Sequence, residues 1–170
     1  WYSEGQLSSK GIFRNNLKTG VWLDFYDNGN KKMQTIYRNG LKNGKQINWT
    51  LDGSKISEFS YKSGNRNGSF KTWYESGRKK SAGSFANGIE DGKVIEWYEN
   101  GQEYREQNFS NGKKDGLTFS WYESGSKKEQ EYFTIGLANG VHQQWYENGQ
   151  KKMEGHYING KFDGLWKQWY

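Results

Sequence analysis

A unit of 24 residues recurs seven times without insertion or deletion, and two residues of an eighth copy close the chain. Such a period admits only architectures in which every copy folds alike and stacks its large side chains on its neighbours. Aromatic residues open the copies at Trp1, Phe25, Trp49, Trp73, Trp97, Trp121, Trp145 and Trp169. Tyr follows at Tyr2, Tyr26, Tyr74, Tyr98, Tyr122, Tyr146 and Tyr170, with Thr50 as the single exception. One glycine column runs from Gly5 to Gly149, a second from Gly20 to Gly164, and a third aromatic column comprises Phe13, Tyr37, Tyr61, Phe85, Phe109, Phe133 and Tyr157.

The uninterrupted period predicts one repeat array over residues 1–170, with units 1–24, 25–48, 49–72, 73–96, 97–120, 121–144 and 145–168 and the start of an eighth at 169–170. Leu, Ile, Val and Phe make up only about 16% of the chain, a fraction that would suit a disordered segment. Evenly spaced rings, each able to bury on the order of 150–250 Å², replace the missing aliphatics. Zero cysteine excludes a disulfide framework, a catalytic thiol and Cys-ligated metal, and leaves the compartment open between cytoplasm and envelope. No apolar run approaches the ~20 residues of a membrane-spanning helix. The chain starts and stops inside repeats, so it reads as a piece of a longer protein.

Within a unit, a strand of about six residues leads through Trp-Tyr-Glu-Asn-Gly into a strand of about eight, as in Val141–Tyr157, which is the pattern of a β-hairpin. The expected fold is all-β: an elongated, open-ended antiparallel meander of about seven hairpins, a rod or trough gaining roughly 10 Å per copy, with strand edges open to end-to-end self-association. At the glycine turn a three-residue loop, a type I turn closed by left-handed glycine, is expected in place of a two-residue Asn-Gly turn. That loop would gather the openers and the third aromatic column on one face. The Tyr column with Trp22, Phe70, Val94 and Trp166 would then form a half-wet opposite face. Gly11, Gly83 and Gly155, two residues before rings, are expected to make room for a neighbouring ring.

The runs Trp145-Tyr-Glu-Asn-Gly-Gln-Lys-Lys152 and Tyr157-Ile-Asn-Gly-Lys-Phe-Asp-Gly-Leu-Trp166 closely resemble the MORN-repeat variant found in bacterial proteins. All seven copies meet the pattern, with Thr50, Leu51 and Asp52 and a non-glycine Asn16 as departures. The resemblance implies a β-hairpin array without enzymatic activity, of a kind often associated with antitoxins of toxin–antitoxin systems.

For chemistry the residues themselves offer little. His142 and His156 fall in columns otherwise filled by unrelated residues, and no nucleophile, phosphate loop or carboxylate pair stands out, so no catalytic residue, metal ligand or cofactor is assigned. Two binding surfaces remain. Lys31, Lys55, Lys79, Lys127 and Lys151 form a ladder suited to anionic headgroups, unless Asp27, Glu75, Glu123 and Glu147 neutralise it across the turns. Trp22, Tyr26, Tyr74, Tyr98, Tyr122, Tyr146 and Trp166 offer aromatic anchors for a partner protein. The expected function is a scaffold for protein–protein interaction, with antitoxin-like neutralisation as its sharper form. Envelope or membrane attachment through anionic lipid or glycan is the alternative, and nucleic acid is disfavoured.

Overall fold

The computed structural model describes residues 5–170; Trp1 and Tyr2, first members of their columns, lie outside the described residues. The fold is all-β, and no helix occurs among the described residues. Strands follow one another as antiparallel neighbours in a meander of hairpins. The chain divides into two compact units, one of Trp1–Lys79 with Phe85–Gly88 and one of Lys80–Ser84 with Ile89–Tyr170. In the first, the strands leading into the glycine turns are continuous: Leu17–Phe25, Leu41–Trp49 and Asn65–Trp73. In the second they are broken, as in Lys113–Lys114 followed by Gly116–Trp121, or Leu137–Ala138 followed by Gly140–Trp145.

Both kinds of connection follow from backbone chirality. At the glycine turn of the fifth-to-sixth copy, the Gly125 N–H donates to Tyr122 O at 2.9 Å and the Tyr122 N–H to Ser126 O at 2.8 Å, with Gly125 at φ 88°. This is the three-residue loop expected from the sequence, and the same pair of bonds recurs at Tyr26, Tyr74, Tyr98, Tyr146 and the aberrant Thr50. The two-residue Asn-Gly turn is used at the other end of the strands. Asn111 (φ 50°) and Gly112 (φ 75°) both lie in the left-handed region, as a type I′ turn requires. Asn16, in a place where the other copies carry glycine, adopts the same region at φ 59°, which Asn tolerates.

A second irregularity overturns the expected assignment of faces. Ser120 pairs with Glu129 but Trp121 pairs with Lys127, so Lys128 is an extra residue in the ladder. The same slip leaves Lys32, Ile56, Tyr104 and Lys152 unopposed in their hairpins. A one-residue slip exchanges the faces of a strand. Trp22 is therefore registered with Thr35, Gln46 with Phe59, and Val94 with Gln107. The positions of Trp22, Phe70 and Val94 share a face with the third aromatic column, and the openers lie on the other. Far from being half-wet, that face is the dry one: Trp22, Phe70 and Val94 are its buried apolar residues, with Thr35, Gln107, Thr118 and His142 buried beside them.

Rings fill this face by reaching along the array. The Trp22 ring meets Phe13 edge-on at 4.9 Å and Tyr37 at 6.3 Å, while Phe70 lies 5.7 Å from Phe59 and 5.0 Å from Phe85. A Cβ on Gly11 would fall inside the Trp22 ring and one on Gly155 inside the Trp166 ring, so these two glycines make room as the sequence suggests. Cations close the ring stack: Lys18 Nζ lies 4.2 Å from the Trp22 ring, Lys42 Nζ 4.9 Å from Tyr61, and the Arg66 guanidinium 4.1 Å from Phe59. Each such contact contributes about 0.5–1 kcal/mol where solvent reaches it.

Candidate functional site

Tyr26, Tyr74, Tyr98, Tyr122 and Tyr146 are half-buried, Tyr170 at the end of the column is fully exposed, and the hydroxyls of Tyr26, Tyr98, Tyr122 and Tyr146 are spent on the scaffold. Tyr26 donates to Trp49 O at 2.9 Å, Tyr98 to Trp121 O at 3.0 Å, Tyr122 to Trp145 O at 3.0 Å and Tyr146 to Trp169 O at 2.8 Å. Each is a strap from one copy to the opener of the next. Burial raises the pKa of the Tyr98 hydroxyl above its usual value, so it remains a donor throughout the ordinary pH range. Of the other proposed anchors, Trp22 belongs to the dry core and donates its indole N–H to Ile12 O at 3.2 Å. Trp166 is half-buried against His142, Tyr157 and Phe162.

Four lysines of the ladder lie near the opening rings of the next copies. Lys31 Nζ lies 5.9 Å from the Trp49 ring, Lys55 5.4 Å from Trp73, Lys127 5.1 Å from Trp145 and Lys151 5.9 Å from Trp169. The second lysine of the pair, the extra residue of the hairpin, lies on its own copy's tyrosine: Lys32 on Tyr26, Lys128 on Tyr122 and Lys152 on Tyr146. The expected cross-turn ion pairs of Lys31, Lys127 and Lys151 with Asp27, Glu123 and Glu147 do not form. Lys55 and Lys151 instead reach Glu58 and Glu154 three residues on. A position that is free of the ladder's turn acids can lie over the next copy's ring, which explains why lysine recurs there.

Where Thr50 interrupts the Tyr column, a groove of about 630 Å³ opens. Its walls are Tyr26, Leu51 and Ile56, with Asn28, Asn30, Asp52 and Glu75 at its polar side. In the second, sixth and seventh copies this space takes a tyrosine ring with a lysine against it, and in the fifth a tyrosine ring with Tyr104 against it; here Thr50 and Ile56 are both too short to fill it. The turn nonetheless holds, because the Thr50 hydroxyl accepts the Ser54 N–H at 3.0 Å and Asn28 and Asn30 both donate side-chain N–H groups to Leu51 O. The hydrogen bonds from Thr50 and the Ser54 N–H hold the Asp52 carboxyl below its usual pKa, so the groove carries negative charge. The sequence showed Thr50, Leu51 and Asp52 as departures from the pattern; that they leave a ring-sized gap needed the register.

A second departure lies on the dry face of the sixth copy. His142 Nε2 is 2.9 Å from Glu129 Oε1 and 3.9 Å from Glu131 Oε1, and Gln144 donates to Glu129 at 2.6 Å. The hydrogen bond from His142 holds the Glu129 carboxyl low, whereas burial, and then the charge of Glu129, pushes Glu131 up. His142 Nδ1 is buried without a partner, at a cost of roughly 1–3 kcal/mol for a neutral group. Reading the sequence column by column missed this cluster, because each residue alone is unremarkable in a variable column.

The MORN repeat variant model matches residues 18–39, 90–111, 114–134 and 138–159, slightly more than half of the chain. No curated protein matches the sequence. The four matches share the hairpin period; the unmatched stretch 40–89 holds the third copy, in which Thr50 breaks the Tyr column, and most of the fourth, in which Tyr74 keeps it. With the glycine turns, the straps and the ring stack repeated from copy to copy, the chain belongs to the MORN repeat variant family.

Proposed function

We propose that this chain is a non-enzymatic repeat scaffold that binds a protein partner, with the groove at Thr50 as its principal recess. The observation that carries the proposal is the gap itself. Where seen, tyrosine hydroxyls in the column strap copies together, and only the third copy gives up the ring and leaves an open, acidic-rimmed hollow. A partner side chain with an apolar stem and a basic tip would bury its stem against Tyr26 and Ile56 and place its charge near Asp52 and Glu75. In the sharper form of the proposal the partner is a toxin that the scaffold neutralises.

Thr50→Tyr tests this reading. The new ring should fill the groove and supply the missing strap to Trp73 O, raising stability by about 0.5–1.5 kcal/mol, while a partner recovered with the wild-type bait is lost. Retention of that partner by the filled variant would remove the groove from the interface. Sedimentation with anionic vesicles addresses the competing lipid reading: retention at low salt that vanishes on replacing Lys31, Lys127 and Lys151 would transfer the function to the ladder.

A further inference from the structure

Three dry-face positions, those of Glu129, Glu131 and His142, carry no more than one ionisable residue in any other copy of the repeat. The equivalent sites are Ser57, Phe59 and Phe70 in the third copy, and Gly155 faces Trp166 in the seventh. The fold thus has no need of charge there. In the sixth copy, two carboxylates and an imidazole converge instead, with ligand atoms all within 4.8 Å of one another. The convergence is fixed by the sheet: Glu129 is registered with Gln144 and Gln130 with Gln143, which places Glu131 opposite His142. Glu129 and Glu131 project from one face of a single strand, two residues apart.

The cluster is electrically incomplete. The side chains of Glu129 and Glu131 are 31% and 22% exposed, and that of His142 only 7%. Glu131 accepts no hydrogen bond, its nearest basic atom being His142 Nε2 at 3.9 Å, and it is this nitrogen of the buried imidazole that faces both carboxylates. A small cation between the three would satisfy both carboxylates and use the imidazole as a neutral donor. One nitrogen and two carboxylate oxygens suit a first-row divalent ion, which binds such atoms at about 2.0–2.2 Å; calcium and magnesium favour all-oxygen sets. Gln144, donating to Glu129, would fix that carboxylate's orientation as outer partners of metal ligands do.

We propose that Glu129, Glu131 and His142 form a binding site for a first-row divalent cation, with Zn²⁺ the best match to the donor set. The test is calorimetric titration of Zn²⁺ into the full chain after chelator treatment, with the thermal midpoint measured alongside. One equivalent should bind and raise the midpoint. Glu131→Gln, which keeps the shape, and His142→Thr, which installs the residue that Thr118 already provides one copy earlier, should each weaken binding at least about tenfold and abolish the rise. His156→Gln should leave both unchanged, since His156 and Asp163 form a separate exposed pair at 3.7 Å. Absence of binding by Zn²⁺, Co²⁺ and Ni²⁺, or binding that survives Glu131→Gln and His142→Thr, or binding that is lost in His156→Gln, would overturn the proposal.

Discussion

The two compact units run the same 24-residue schedule over different dry faces. The first packs rings on rings: Phe59, Phe70 and Phe85 lie within 6.4 Å of one another, and Trp22 stands between Phe13 and Tyr37. In the second, the positions of Phe59 and Phe70 hold Gln107, Thr118, Glu131 and His142; Phe109 and Phe133 keep the third column, and ring-on-ring packing resumes at Tyr157, Phe162 and Trp166. Turns, straps and ladder are alike in both. Backbone pairing and turn chirality therefore carry the repeat, while the dry face is where one copy can differ from the next. Such freedom lets a polar cluster be grafted on without rebuilding the array.

The contrast is tested most severely by Phe70→Ala, which should cost about 3 kcal/mol by opening a cavity between Phe59 and Phe85; a chemical denaturation curve measures it. Gly155→Ala comes next, at about 1–3 kcal/mol, because the methyl falls inside the Trp166 ring and the site cannot give way without moving it. In the second unit, Thr118→Val should be neutral or stabilising by up to about 1 kcal/mol, since the buried hydroxyl it removes has no partner. A loss as large as that of Phe70→Ala would show that the polar face is as tightly determined as the aromatic one.

Acid titration gives the smallest effect and opposite signs in the two units. In the first, hydrogen bonding to Lys45 holds the Glu58 carboxyl below its ordinary value of 4.5. Its folded pKa being depressed, its contribution is present above that ordinary value and is lost as pH falls through the folded one. In the second, burial and then Glu129 raise Glu131, so its contribution is present below its ordinary 4.5 and is lost as pH rises through the folded value. With metal chelated, Glu58→Gln should flatten the acid limb of the stability curve. Glu131→Gln should raise the melting temperature at neutral pH, with the gain vanishing toward pH 4.5.

Period, strand order and the left-handed glycines were legible from the sequence because each is a local demand repeated in every copy. The faces were not. The loop at Gly125 was read correctly, but the extra residue beside it, Lys128, has no signature, since lysine serves equally in a regular ladder. That one slip reversed the expected positions of Trp22 and Phe70. The candidate sites escaped for a related reason: Thr50 and Ile56 become a groove, and Glu129, Glu131 and His142 a cluster, only once residues distant along the chain are set side by side.

The unopposed residue at Lys32, Ile56, Tyr104, Lys128 and Lys152 works as a parity counter. Shortening any hairpin by that residue would bring tryptophans such as Trp121 to the inside and send Phe119's neighbours outward, turning that stretch of the molecule inside out. A ribbon that keeps its lining by counting can absorb almost any exchange of side chain yet no change of length. Seven copies with no residue gained or lost are what such a rule would leave behind.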